Sequence, residues 1–319
     1  MSVVVYVESQ NGVIKKAGLE VASYGRAIAN ATNTSLIAVT FNTNDSSVLN
    51  SHGVDKVYNI NTAEDSFFNV DRYSASLVPI IEKEEASIVV VSATADGRYL
   101  GPILAVGAQA AYFSNVVALP SSYAPLTVKR SCFTNKAFNE SVSNQSKAVI
   151  CLSSNAFGLK EQTSNAENLE GEYLVSNSTL KVTAVDKVTD KVTIADADIV
   201  VSGGRGLKGP ENWHLIEDLA AVLGAATACS KPVSDIGWRP HSEHVGQTGI
   251  QINPNLYIAI GISGAIQHLA GVNGSKTIVV INIDPEAPFF KAADYGIVGD
   301  AFEVVPKLTE AIRAFKANS

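Results

Sequence analysis

The chain has 319 residues, 46% of them hydrophobic and 17% charged, a balance that supports a packed core and excludes a disordered chain. A formal net charge of −7 argues against a nucleic-acid surface, which needs clustered Lys and Arg, and against an anionic membrane surface as partner. The length exceeds one ordinary α/β unit, so two domains are expected.

Met1 leads straight into SVVVYVE, with none of the basic, apolar and cleavage regions of a signal or transit peptide. No run of about eighteen apolar residues occurs, so direct membrane insertion is not expected and a cytoplasmic (bacterial) location is. Residues 3–7 read as a strand, 17–31 as a helix, 35–39 as a strand and 57–60 as a short strand. A helix is expected over 73–85, a nearly all-apolar strand over 87–92 and another helix over 98–111. Continuous Val/Ile runs suit parallel strands covered on both faces, and their alternation with amphipathic stretches gives a doubly wound α/β domain. From Pro120 to about residue 185, Ser, Asn and Thr become frequent. Short alternating pieces at 126–133 and 147–152 suggest antiparallel strands at one edge of that domain. The Ser/Asn-rich 153–177 reads as the least ordered part of a polar connector.

A second α/β unit begins near Asp198 with Ile199-Val200-Val201. A helix follows, opened by Pro210 and closed by Gly224, then buried strands at 256–260 and 277–281 and a closing helix over 306–316. The expected division is 1–186 and 187–319, the second domain Rossmann-like, smaller and with little core of its own. Glycines at its strand ends make it the expected home of a ligand.

Ser202-Gly203-Gly204-Arg205-Gly206 follows the first strand of this domain, and Gly261-Ile262-Ser263-Gly264 follows the second. Glycines there let the backbone approach a phosphate, a following helix offers free N–H groups, and an Arg adds a bidentate grip. The pattern is neither G-x-G-x-x-G nor a P-loop, which would carry a Lys. Gly261 to Ala265 resembles a nucleophile elbow, but its fifth position is Ala rather than Gly, which argues against a hydrolase. The segments 229–238 and 245–249 bring small residues, hydroxyls and one cation, without paired carboxylates for acid/base work. Cys132, Cys151 and Cys229 are far apart and odd in number, which fits buried free thiols rather than disulfides or a zinc site. His241 and His244 read as residues of a solvated loop in preference to a metal pair, and Trp238 as packing.

Five segments together resemble the α subunit of electron-transfer flavoproteins: VVSGGRGLKGPENW (200–213), CSKPVSDIGW (229–238), HVGQTG (244–249), LYIAIGISGAIQHLAG (256–271) and INIDPEAPFFKAADYGIVGD (281–300). The resemblance spans the second domain; the first fits in texture and length. It implies an N-terminal α/β domain that packs with a β subunit, and a C-terminal domain that holds FAD. By resemblance Arg205 lies over the flavin, and Ser230 and Lys231 lie near its ring. Val245 and Gly246 lead into Gln247 and Thr248, which reach the ring edge. Ser263, Gly264, Ala265, Ile266, Gln267 and His268 form the turn and helix start that hold the pyrophosphate and present the imidazole to the pyrimidine carbonyl. Asn282 and Asp300 fall on the AMP half.

The implied role is a one-electron carrier with bound FAD, rather than an enzyme with its own substrate. It would work between flavoprotein dehydrogenases, such as the acyl-CoA dehydrogenases of fatty acid β-oxidation, and a membrane quinone reductase or other acceptor. The partner would form a heterodimer with FAD in a cleft between it and the C-terminal domain. Lys231 stands where the family usually has Arg, which keeps charge but loses the planar fork. Gly101-Pro102-Ile103 and Phe133-Thr134-Asn135 also depart from the family pattern. An NAD-dependent dehydrogenase on a related α/β fold and a nucleotide-sensing module without redox activity are the competing readings.

Overall fold

The computed structural model describes residues 1–62, 67–176, 178–185 and 193–318; the junction expected between 186 and 187 lies outside them. The chain divides into two compact units, Met1–Cys132 with Ala137–Asp186, and Phe133–Lys136 with Lys187–Ser319.

The first unit opens with β1 (Ser2–Val7), the small β2 (Ser9–Gln10) and β3 (Val13–Ile14) hairpin, α1 (Lys16–Thr32), β4 (Ser35–Phe41) and β5 (Lys56–Ile60). It continues with α2 (Val70–Lys83), β6 (Ala86–Ser92), α3 (Ala95–Gly107) and β7 (Ala111–Val116). The last strands are β8 (Ser122–Tyr123), β9 (Leu126–Cys132), β10 (Ala137–Ser143), β11 (Ala148–Leu152) and β12 (Glu167–Gly171). The main sheet runs β10-β9-β7-β11-β6-β1-β4-β5-β12, with β8 on β9. Every residue of β1 is buried because the strand is covered twice. Val3, Val5 and Val7 pack under α1 with Tyr24 and Ile28, while Val4 and Tyr6 pack under α2 and α3 with Leu77 and Leu100. Asn69 and Thr94 start α2 and α3 by accepting from the N–H of Arg72 and Gly97.

The polar half of this unit is more regular than expected. The strand expected at 147–152 as antiparallel is β11, which lies parallel between β6 and β7. All five of its residues are buried, as an interior strand requires. Only β8, β9 and β10 make the antiparallel edge. Inside 153–177, β12 adds a parallel edge strand beside β5.

The second unit contains β13 (Ile199–Gly203), α4 (His214–Leu223), β14 (Ala226–Ser230), α5 (Lys231–Asp235), β15 (His244–Val245) and β16 (Leu256–Ile260). It ends with α6 (Ile266–Val272), β17 (Thr277–Asn282), β18 (Tyr295–Val298) and α7 (Ala301–Ala317). Its strands are all parallel, in the order β15-β14-β13-β16-β17-β18. The expectation of little core is overturned. Val200, Ala228, Tyr257 and Val280 bury one face of the sheet, and Val201, Ile258 and Ile260 bury the other beneath Ile216, Leu219 and Val305.

Two boundaries move. Residues Pro210–Trp213 form a 3₁₀ turn and α4 begins after them. Helix α7 starts at Ala301, not at 306, because the Asp300 side chain accepts from Phe302 N–H and caps it. Pro306 then sits inside the helix, removing one N–H bond rather than opening it. Among the described residues no helix is long and apolar enough to cross a membrane.

One side chain holds the loop after β11 in place. Glu20 of α1 is buried and accepts from the backbone N–H of Asn155, Phe157 and Gly158 at 2.9, 2.9 and 2.8 Å. Removing it leaves three donors without this acceptor, so Glu20→Ala should cost about 3 kcal/mol. Chemical denaturation checks this: the midpoint should fall in Glu20→Ala and partly recover in Glu20→Gln.

Candidate functional site

In the second unit, the chain leaves β13 toward β14 on one side of the sheet and later lays β16 on its other side. That reversal opens a crevice beyond the carboxyl ends of β13 and β16, where open α/β sheets bind ligands. The two glycine loops expected there meet. A Cβ on residue 204 would stand 2.1 Å from the Gly261 carbonyl oxygen, so the two turns can close only with glycine at this position. Gly264 takes φ +80°, and a Cβ there would meet the Phe289 backbone at 2.6 Å. The turn is tied down by Phe289 N–H donating to Ser263 O at 3.1 Å.

A cavity of about 750 Å³ lies over these loops, well inside the range of small-molecule sites. Its wall contains Arg205, Ser230, Lys231, Val245, Gly246, Gln247, Thr248, Ser263, Ala265, Gln267, His268 and Asn282. These come from five separate strand ends and turns. Three expected residues lie outside the lining. Gly264 is buried against Phe289, Ile266 is 67% exposed, and Asp300 caps α7 with Lys208 Nζ at 3.9 Å. Asn282 Nδ2 donates to Ile262 O at 2.9 Å, which fixes the end of β17 against the loop after β16. Gln247 N–H donates to Gln267 O at 2.7 Å and stitches the 245–249 loop onto α6.

Charge is arranged unevenly around the cavity. Arg205 and Lys231 are exposed, as are the unforeseen carboxylates Asp235 and Asp284. The deeper wall holds two buried histidines. His268 is 7% exposed, and burial, then His244, pushes its pKa down to about 4, opposed by the Val245 backbone, which accepts a hydrogen bond from the ring. His244 is 1% exposed, so the solvated-loop reading fails for it. Burial, then His241, lowers its pKa; Lys231 adds to this and Asp235 opposes it. Nδ1 is closed off from solvent in both imidazoles, and that of His244 has no hydrogen-bond partner among the described residues.

Sequence reasoning missed His244 and also Tyr257, whose hydroxyl meets His268 Nε2 at 2.8 Å. A tyrosine inside a buried parallel strand was the available signal, because its hydroxyl needs a partner. Cys229, beside Ser230 at the end of β14, is buried, and burial pushes its thiol up to about 12. Cys151 is also buried, whereas Cys132 is half-buried, contrary to the reading of three buried thiols. Among the described residues no His, Cys, Asp and Glu group is arranged to hold a metal.

The depressed His268 pKa has a definite sign. An unfolded imidazole protonates below about pH 6.5 and the folded one only near 4, so the unfolded state binds more protons between them. Stability therefore falls as pH drops through this window, by about 3 kcal/mol in total from this group. Unfolding free energies measured from pH 7 to 4 should show this loss in wild type, and a shallower slope in His268→Gln.

Comparison with known proteins adds to this geometry. The family model described as Electron transfer flavoprotein domain matches residues 3–172, and the one described as Electron transfer flavoprotein FAD-binding domain matches residues 193–273. An electron transfer flavoprotein subunit alpha of Bacillus subtilis is 37% identical over 326 aligned positions, covering 99% of each chain. One of Thermoanaerobacterium thermosaccharolyticum is 32% identical, covering 98% of each chain. A protein named FixB, of Clostridium saccharobutylicum, is 31% identical over 95% of this chain and 94% of its own. Both glycine turns, His244 and His268 fall within the residues matched by the FAD-binding domain, and the chain is a member of the electron transfer flavoprotein α-subunit family.

Proposed function

We propose that this chain is the FAD-carrying half of a heterodimeric electron carrier. It would accept electrons from flavoprotein dehydrogenases, such as acyl-CoA dehydrogenases, and pass them to a membrane quinone reductase or another acceptor. The observation that carries this reading is the cavity at the sheet reversal, walled by residues from five strand ends and turns. FAD supplies the redox chemistry when bound, so the protein's task is to hold and tune it. Proposed contacts to the ring are Ser230, Lys231, Gln247, Thr248 and His268, with Arg205 above it and Val245 and Gly246 forming the backbone beneath. Ser263, Gly264, Ala265, Ile266 and Gln267 form the proposed pyrophosphate turn, where the first amides of α6 lack helical partners. Gly264 and Ile266 would serve it through backbone only, since neither lines the cavity. Asn282 is proposed for the AMP half; Asp300 would act there through the start of α7.

Two buried clusters give the second unit a core of its own, so the heterodimer rests on family membership and not on a deficient core. The subunit names of the relatives support a β-subunit partner. Co-expression with a β-subunit chain of the same family should yield a heterodimer with flavin absorbance that reduces in two one-electron steps. Light scattering that finds a stable, FAD-saturated monomer would sink the heterodimer. Bound nicotinamide without flavin bands would return the chain to the dehydrogenase reading.

Lys231 gives a second test. Its ammonium is exposed on the cavity wall, so its attraction for added charge on the ring is screened to about 0.2–1 kcal/mol. Converted at about 2.3 kcal/mol per 100 mV, this is roughly 10–40 mV. Spectroelectrochemistry should show the first reduction potential lowered by that amount in Lys231→Gln and retained in Lys231→Arg.

A further inference from the structure

The cavity runs across the carboxyl ends of five neighbouring strands, in the order β15-β14-β13-β16-β17. At about 4.8 Å between strands this is a span of roughly 19 Å. Lys231 and Gln247 stand at the β14–β15 end, and Asn282 and Asp284 at the β17 end. The two glycine turns lie between them. β16, the turn at 261–265, α6 and β17 form one βαβ unit, its strands parallel with Ile260 beside Ile281. The proposed pyrophosphate turn thus follows the first strand of the unit. Asp284 follows the second, twenty residues beyond Gly264. In dinucleotide-binding units of this build, an acid at that place receives a hydroxyl of the adenosine ribose.

The chemistry of the side chain points the same way. A carboxylate only accepts hydrogen bonds, and the pyrophosphate of FAD has none to give, so the two side by side would only repel. A ribose offers two hydroxyl donors, and it is the next group along the cofactor after the pyrophosphate. The loop's own backbone holds Asp284 in place. Its N–H donates to Asn282 Oδ1 at 3.1 Å, and its Oδ1 accepts from Glu286 N–H at 2.9 Å. Its Oδ2 makes no hydrogen bond among the described residues. The polar groups nearby are committed elsewhere: Asn282 Nδ2 donates to Ile262 O, and Asp300 caps α7 outside the cavity lining.

We infer that Asp284 accepts hydrogen bonds from the ribose hydroxyls of the adenosine half of FAD, and so fixes the end of the cavity that this half occupies. This rests on the reading of the cavity as the FAD site.

The test uses the full chain paired with a β-subunit chain of the same family and stripped of flavin. FAD is titrated in, alongside flavin dinucleotides whose adenosine lacks the 2′- or the 3′-hydroxyl. The change in flavin fluorescence reads binding at this site without any turnover. Wild type should bind at least one deoxy form about tenfold more weakly than FAD, and Asp284→Ala should bind all three alike. Equal binding of all three by wild type would overturn the inference, and so would a tenfold preference that survives in Asp284→Ala. Asp284→Asn covers the case in which the alanine variant does not fold, since it keeps an acceptor for Glu286 N–H and loses the charge. Its preference for FAD over the deoxy form should shrink severalfold, and an undiminished preference would also overturn the inference. Wild type that binds none of the three dinucleotides would fail the cofactor reading itself, a result distinct from binding without discrimination.

Discussion

The second unit depends on the contact between two backbone turns. The loops after β13 and β16 leave neighbouring strands toward opposite faces of one sheet, yet cross close enough that Gly204 and Gly261 touch without side chains between them. Any Cβ there would force the turns apart, and the 205–207 turn and the Ser263–Ala265 turn would separate with them. Those turns carry Arg205 on one wall and His268 on the other. A steric constraint of a few tenths of a nanometre thus sets the width of the whole cavity. The parallel register of β13 and β16 can tolerate this close crossing because both strands are covered twice and cannot slide.

Electrostatics divide the same cavity by depth. The formal charges sit at exposed positions, where water screens them. The interior groups, His244, His268 and Tyr257, are held neutral by burial. Directional hydrogen bonds therefore operate where the dielectric is low and each bond counts most, and charges operate where they can be adjusted without cost to the fold. Such a division suits a protein whose cofactor changes its own charge while the surroundings must stay folded.

Much of this was legible in the sequence, because buried parallel strands write continuous Val/Ile runs and crevice loops write glycine. Strands β1, β4, β6, β13, β16 and β17 announced themselves in that way. Strand β14, with the sequence ATACS, did not, since small residues pack well in a covered strand but carry little strand propensity. β18 was hidden because its four residues are all exposed at the sheet edge. The direction of β11 was misread because its neighbours in the chain are polar, and direction is set by the partner strands β6 and β7 rather than by local texture. Most of the cavity wall was named from motif resemblance. His244 escaped because its burial is set by neighbouring elements, and Tyr257 because its hydroxyl's partner, His268, lies on another element.

Burial of Cys229 has a chemical consequence. Burial pushes its thiol up to about 12, so almost none of it is thiolate at pH 7. Oxidants act on the thiolate, and a redox cofactor handled in the presence of oxygen is a local source of them. A cysteine one residue from the cavity wall would otherwise be the first atom to be spent, turning a small apolar strand end into a bulky anion and prising β14 from β13. Held as a buried thiol, Cys229 keeps the end of β14 seated against Gly203 of β13.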